Sequence, residues 1–104
     1  MDNIFSMLPE NPGKERFDQV LQHGRVRIER IISKGHKSPD EGWYDQCENE
    51  WVLVLEGSGS ILFEDGRELT LEKGDYLNIP CHTKHRVSWT EPGQVTVWLA
   101  VFYS

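Results

Sequence analysis

The chain has 104 residues, enough for one domain built on one core. Hydrophobic residues make up 38% of it, with four Trp, four Phe and three Tyr, a composition that argues against disorder. The formal net charge of −6 repels phosphate backbones and argues against a nucleic-acid partner, and no apolar stretch is long enough to span a bilayer.

Met1 to Leu8 carries Asp2 and lacks the basic start and long apolar run of a signal peptide, so a cytoplasmic protein is expected. Pro9, Asn11, Pro12 and Gly13 mark a loop. Lys14 to His23 admits a short helix with Phe17, Val20 and Leu21 on one face and Gly24 as its stop, or an irregular stretch with a short strand. After Gly24 the period becomes two: Val26 and Ile28 alternate with Arg25, Arg27 and Glu29, a strand with one wet face. Arg25, Arg27 and Arg30 are the nearest thing to a basic patch and are expected to be solvated.

Ser33 to Gly42 is a loop. Trp43 to Gln46 reads as a short strand, followed by a turn at Cys47, Glu48 and Asn49. Glu50 to Glu56 is a strand ended by Gly57, and Ser60 to Glu64 another. Asp65-Gly66 is a strong hairpin signal, because both positions of a type I′ turn need positive φ. Glu68 to Glu72, Tyr76 to Ile79, Arg86 to Thr90 and Val95 to Tyr103 complete a series of short strands broken by Gly and Pro. Such spacing predicts an all-β sandwich or barrel, with residues 1–24 as an N-terminal extension and 25–104 as the barrel domain.

Tyr44 and Gln46 are two apart and share a face of their strand, and Glu50 follows across the turn. With Gly57 and the run Gly74, Asp75, Pro80, His82 and His85, they form the pattern that bears chemistry. Here the chain resembles the cupin family. That family's first motif is a Gly, a His-x-His pair, a Glu and a Gly seven residues later; Glu50 and Gly57 match. Its second motif is matched by Gly74, Pro80 and His85. The resemblance covers roughly Gly42 to Tyr103 and implies a single cupin-type β-barrel or jelly roll.

The departures bear on function. The two motif histidines fall on Tyr44 and Gln46, the Gly after Pro80 is His82, and the final Asn is Trp89. The resemblance implies a metal site at the barrel mouth, with Glu50 and His85 as ligands and Gln46 as a third by position. Phosphomannose isomerases, which share the fold, use a Gln among their zinc ligands. The donor types suit a divalent ion such as Zn, Mn, Fe or Ni. A two-histidine, one-carboxylate set would need His82 to swing in beside His85. Tyr44 and His82 are the candidates for donor or acid–base roles.

A structural role is open for each of these residues. Glu50 could be held ionised by an arginine, and His85 could be a core residue bonded to a backbone carbonyl. Trp43, Trp51, Trp89 and Trp98 are expected as core and interface aromatics, and Cys47 and Cys81 as small buried residues without a disulfide. Two functions remain: a metalloprotein that binds or acts on a small oxygen-bearing metabolite, or a barrel without metal that binds a small molecule or is purely structural. The long apolar final strand, taken as an exposed edge, predicts a homodimer.

Overall fold

The computed structural model describes all 104 residues and contains eight strands and no helix. In chain order they are β1 (Arg16–His23), β2 (Val26–Ser33), β3 (Asn49–Glu56), β4 (Ser58–Phe63), β5 (Glu68–Glu72), β6 (Tyr76–Ile79), β7 (His85–Thr90) and β8 (Thr96–Tyr103). They form a five-stranded sheet, β1-β2-β8-β3-β6, and a three-stranded sheet, β5-β4-β7, with every pairing antiparallel. The two sheets face each other as the flattened barrel that the strand pattern predicted.

The chain passes from one sheet to the other at Gly57, whose φ of +85° is one that L side chains rarely adopt. A Cβ there would also collide with Thr96. Gly59, two residues on, lies close against the Trp98 indole: a Cβ would fall 2.6 Å from Cη2 and nearer still to Cζ2. Val52, Val54, Ile61, Phe63, Leu71, Ile79 and Trp98 form the core between the sheets.

Five expectations are corrected. The stretch from Lys14 to His23 is not a helix; Arg16–His23 is a strand paired to β2. Its register slips between Gln19 and Leu21, and that bulge puts Phe17, Val20 and Leu21 at a spacing that imitates a helix face. The final strand is no edge. β8 lies mid-sheet between β2 and β3, and Val97, Trp98, Ala100 and Phe102 are all buried. Trp98, Ala100 and Phe102 face the core, while Leu99, Val101 and Tyr103 on the opposite face are half-buried. Cys47 and Cys81 are exposed, and of the four tryptophans only Trp98 belongs to the core. Tyr44 makes an isolated bridge to His85 rather than a strand of its own.

No helix is long and apolar enough to cross a membrane.

Candidate functional site

Antiparallel partners point to the same side of a sheet, so the register of the five-stranded sheet lays out the inner face in rows. One row runs Ile79, Glu50, Phe102, Arg27; the next Leu77, Val52, Ala100, Glu29; the third Val54, Trp98, Ile31, Phe17. Polar residues occupy one end of this face and the core the other. Between the sheets at the polar end lies a cavity of about 380 Å³.

Glu50 and His85 meet across it. Glu50 comes from β3 of one sheet and His85 from the start of β7 in the other, and Glu50 Oε1 lies 3.3 Å from His85 Nε2. The His85 side chain is buried, and Nδ1 is 2.7 Å from the Thr83 carbonyl oxygen. A carbonyl only accepts, so Nδ1 carries the hydrogen. Nε2 therefore presents a lone pair to a carboxylate unless a proton or a cation lies between them. Burial opposes the charged ring, but the hydrogen bond to Glu50, the Thr83 carbonyl and the charge of Glu50 outweigh it and raise the His85 pKa above the ordinary histidine value.

Gln46 Nε2 donates to the same Glu50 oxygen at 3.2 Å. Tyr44 is anchored by two backbone bonds with His85, from Tyr44 N to His85 O at 2.8 Å and from His85 N to Tyr44 O at 3.2 Å. Its ring centroid lies 5.8 Å from that of His85. Tyr44, Gln46, Glu50 and His85 thus line one cavity. His82 is not brought into the cavity. It lies on the rim with φ +57°, and its Nδ1 is 2.8 Å from Asp45 Oδ1. Its backbone N–H donates to Gln46 O at 2.8 Å, which ties the two loops of the rim together.

Several lining residues escaped sequence reasoning. Arg27, expected to be solvated, has its guanidinium carbon 3.9 Å from the Phe102 ring centroid. It donates to Glu29 Oε2 at 2.9 Å and to Glu48 Oε1 at 2.9 Å. Burial disfavours its charge, but Glu48, Glu29 and Glu50 more than compensate and hold it protonated. Glu29, Glu15, Phe17 and Trp98 also line the cavity. The Trp98 Nε1 is buried with no acceptor. The period-two pattern of β2 put Arg27 and Glu29 on one face; only the closed shape makes that face interior.

The donor set available to a metal is one imidazole nitrogen, one carboxylate and one amide oxygen. No three His, Cys, Asp or Glu side chains converge anywhere in the chain, so the set fits a divalent ion only with the Gln46 amide turned to present its oxygen in place of the nitrogen now bonded to Glu50, and with water or ligand completing the shell.

The model of the cupin domain matches residues 30–102. A solved structure of a candidate mannose-6-phosphate isomerase from Ralstonia eutropha JMP134 is similar at 41% identity and a TM-score of 0.95, covering 100% of this chain and 97% of that one. TT1209 from Thermus thermophilus shares the fold at 18% identity and a TM-score of 0.81, over 99% and 95% of the two chains. Acireductone dioxygenase of Microcystis aeruginosa (strain NIES-843 / IAM M-2473) is 23% identical over 90 residues, 82% of this chain and 46% of that protein. The chain thus spans about half the length of the curated relatives it matches. The barrel, the placement of Glu50 and His85 at one mouth and the extent of the match lead to one conclusion: the chain belongs to the cupin family, as a member whose first motif keeps its glutamate and lacks both histidines.

Proposed function

We propose that the protein binds a divalent metal ion through His85 Nε2, Glu50 and Gln46, and there binds or acts on a small oxygen-bearing metabolite. One observation carries the reading: Nε2 and a carboxylate oxygen face each other at 3.3 Å while the ring's Nδ1 is committed to Thr83. That arrangement is how a protein orients an imidazole for a cation, with the second nitrogen fixed by a carbonyl. When bound, the ion would polarise a ligand oxygen as a Lewis acid.

The chain's own residues supply the rest. Tyr44 directs its hydroxyl as a donor to a ligand oxygen. Val52, Ile61, Val87 and Phe102 form apolar walls that exclude water and strengthen polar contacts inside. His82 acts as a positioning residue, holding Asp45 and the backbone of Gln46. The names of the relatives support small-molecule chemistry in such a barrel, though an isomerase and a dioxygenase are different reactions.

Elemental analysis of the purified protein tests the reading, with Glu50→Gln and His85→Gln as controls. Near-stoichiometric metal, lost in both variants, is expected. No metal after incubation with Zn, Mn, Fe and Ni overturns it. The second reading would then stand: a metal-free binding barrel in which a proton on His85 Nε2 faces Glu50. We also take the protein to pair as a homodimer, through the exposed Val20, Leu21 and Val26 of β1 and β2 rather than through β8. A monomeric mass by light scattering removes that part.

A further inference from the structure

The cavity's charge points to what it holds. Its lining contains three carboxylates, Glu15, Glu29 and Glu50, against one guanidinium, Arg27, so the wall carries −2 with His85 neutral and −1 with it charged. No lysine lines it, and the chain has no helix whose N-terminus could receive an anion. The charge of Arg27 is already matched, since it donates to two carboxylates, Glu29 and Glu48, and stacks on Phe102. A divalent ion at Glu50 and His85 would bring the wall only to neutrality. A phosphate monoester would enter such a site without a counter-charge, which in a low-dielectric cavity is costly.

The acidic end is built for the opposite charge. Ser33 Oγ donates to Glu15 Oε2 at 2.6 Å, and Arg27 occupies Glu29 Oε2; the other oxygen of each carboxylate has no partner in the protein. In the register of β1 and β2, Phe17 pairs with Ile31 between the levels of Glu29 and Ser33. Phe17, half exposed, therefore stands between the two carboxylates on the same cavity wall. An aromatic face flanked by carboxylates attracts an ammonium group by its quadrupole and by charge. Trp98, 3% exposed in the same row, has an indole N–H with no acceptor. A buried donor without an acceptor is unfavourable, and a ligand oxygen against it would relieve that.

We infer that the cavity selects an amine-bearing, cationic small molecule, its ammonium between Glu15, Glu29 and Phe17 and an oxygen toward Trp98, and that it rejects phosphorylated ligands. The inference deepens the reading above by naming the ligand class of the same cavity. It separates this chain from the phosphorylated substrate named for its 41%-identical relative.

Benzylamine, benzyl alcohol and benzyl phosphate share one apolar body and differ in charge. They are titrated into the full chain, metal-free and zinc-incubated, with backbone amide NMR as the readout. Benzylamine is expected to bind about tenfold more tightly than benzyl alcohol, with shifts at Glu15, Phe17 and Glu29, and benzyl phosphate to give no saturable shift. Glu15→Gln and Glu29→Gln should each remove most of the amine preference; Glu15 does not hold Arg27, so that variant keeps the Arg27 pairs intact. Benzyl phosphate binding as tightly as benzylamine, an amine preference that survives both variants, or no binding in the cavity by any of the three overturns the inference. A protein that takes no metal yet prefers benzylamine keeps this inference and loses the metal reading. One that takes metal and prefers benzyl phosphate does the reverse.

Discussion

Asp18 and Arg30 face each other across the β1–β2 pair, and Arg30 Nη2 donates to Asp18 Oδ2 at 2.7 Å. The same guanidinium donates from Nη1 to the carbonyls of Ile4 and Ser6, at 3.0 and 2.7 Å. One buried cation thus fastens both the outermost strand and the N-terminal segment to the sheet.

Removing its carboxylate partner should be felt. Asp18→Asn is expected to cost about 1–3 kcal/mol in urea unfolding, because the substitution weakens a charge-assisted bond to a buried guanidinium. The Arg30 hydrogen bond leads in holding the Asp18 pKa below its ordinary value; burial opposes it, and Arg16 adds to the lowering. A depressed carboxylate contributes stability above its unfolded value of 3.8 and loses it as pH falls through the folded value. The gap between wild type and Asp18→Asn should therefore close on acidification below about pH 4. A gap constant with pH would refute the assignment.

Gly59→Ala drives a methyl into the Trp98 indole, which forms part of both core and cavity wall. Overpacking of this kind costs about 1–3 kcal/mol. The double variant with Trp98→Leu should lose less than the sum of the two single losses, by at least about 0.5 kcal/mol. Strict additivity in thermal melts would show that the two residues do not press on one another.

The two motif-region histidines should separate cleanly. His82 is exposed and paired only with Asp45, a contact worth about 0–1 kcal/mol. His82→Ala is expected to keep its metal content within about twofold of wild type, a free-energy change of roughly 0.4 kcal/mol. His85→Ala should abolish it. Equal losses in both, by elemental analysis of folded protein, would make His82 a ligand rather than a positioning residue.

Arg27 cannot be replaced by lysine without consequence. A single ammonium cannot reproduce the fork that reaches Glu29 and Glu48 while lying on Phe102. Arg27→Lys is expected to lower stability by about 1–2 kcal/mol. An unchanged urea midpoint would show that the carboxylates need no fork.

How far the residues themselves disclosed this arrangement depends on what each pattern encodes. Alternation along β2 and the place of the hairpin at Asp65-Gly66 were legible, because strand period and turn residues are local properties; the turn type was not, since only Gly66 has a positive φ and Gly66 N–H donates to Phe63 O. The spacing of Glu50, Gly57, Gly74, Pro80 and His85 disclosed the barrel and its mouth. Sidedness was not local. Arg27 and Glu29 look like a wet face because they are polar, yet the wet face here is an enclosed one. β1 was obscured by its bulge, since an extra residue at Val20 breaks the alternation that identifies a strand. β8 was misplaced in a different way: its two apolar faces are the signature of a central strand, and were read as an uncovered edge.

The segment that delivers Tyr44 and Gln46 also runs alongside β7, the outer strand of the smaller sheet. It bonds to that strand at Ser38, whose N–H reaches Val87 O at 2.9 Å and whose Oγ accepts from Val87 N at 3.0 Å, and again at Tyr44. A naked outer strand invites the wrong neighbour. The residues that equip the cavity mouth thereby also guard the molecule against sticking to others of its kind. Lesions that pry Tyr44 from His85 should cost solubility and ligand binding together, so a poorly behaved variant of this segment is itself a report on the site.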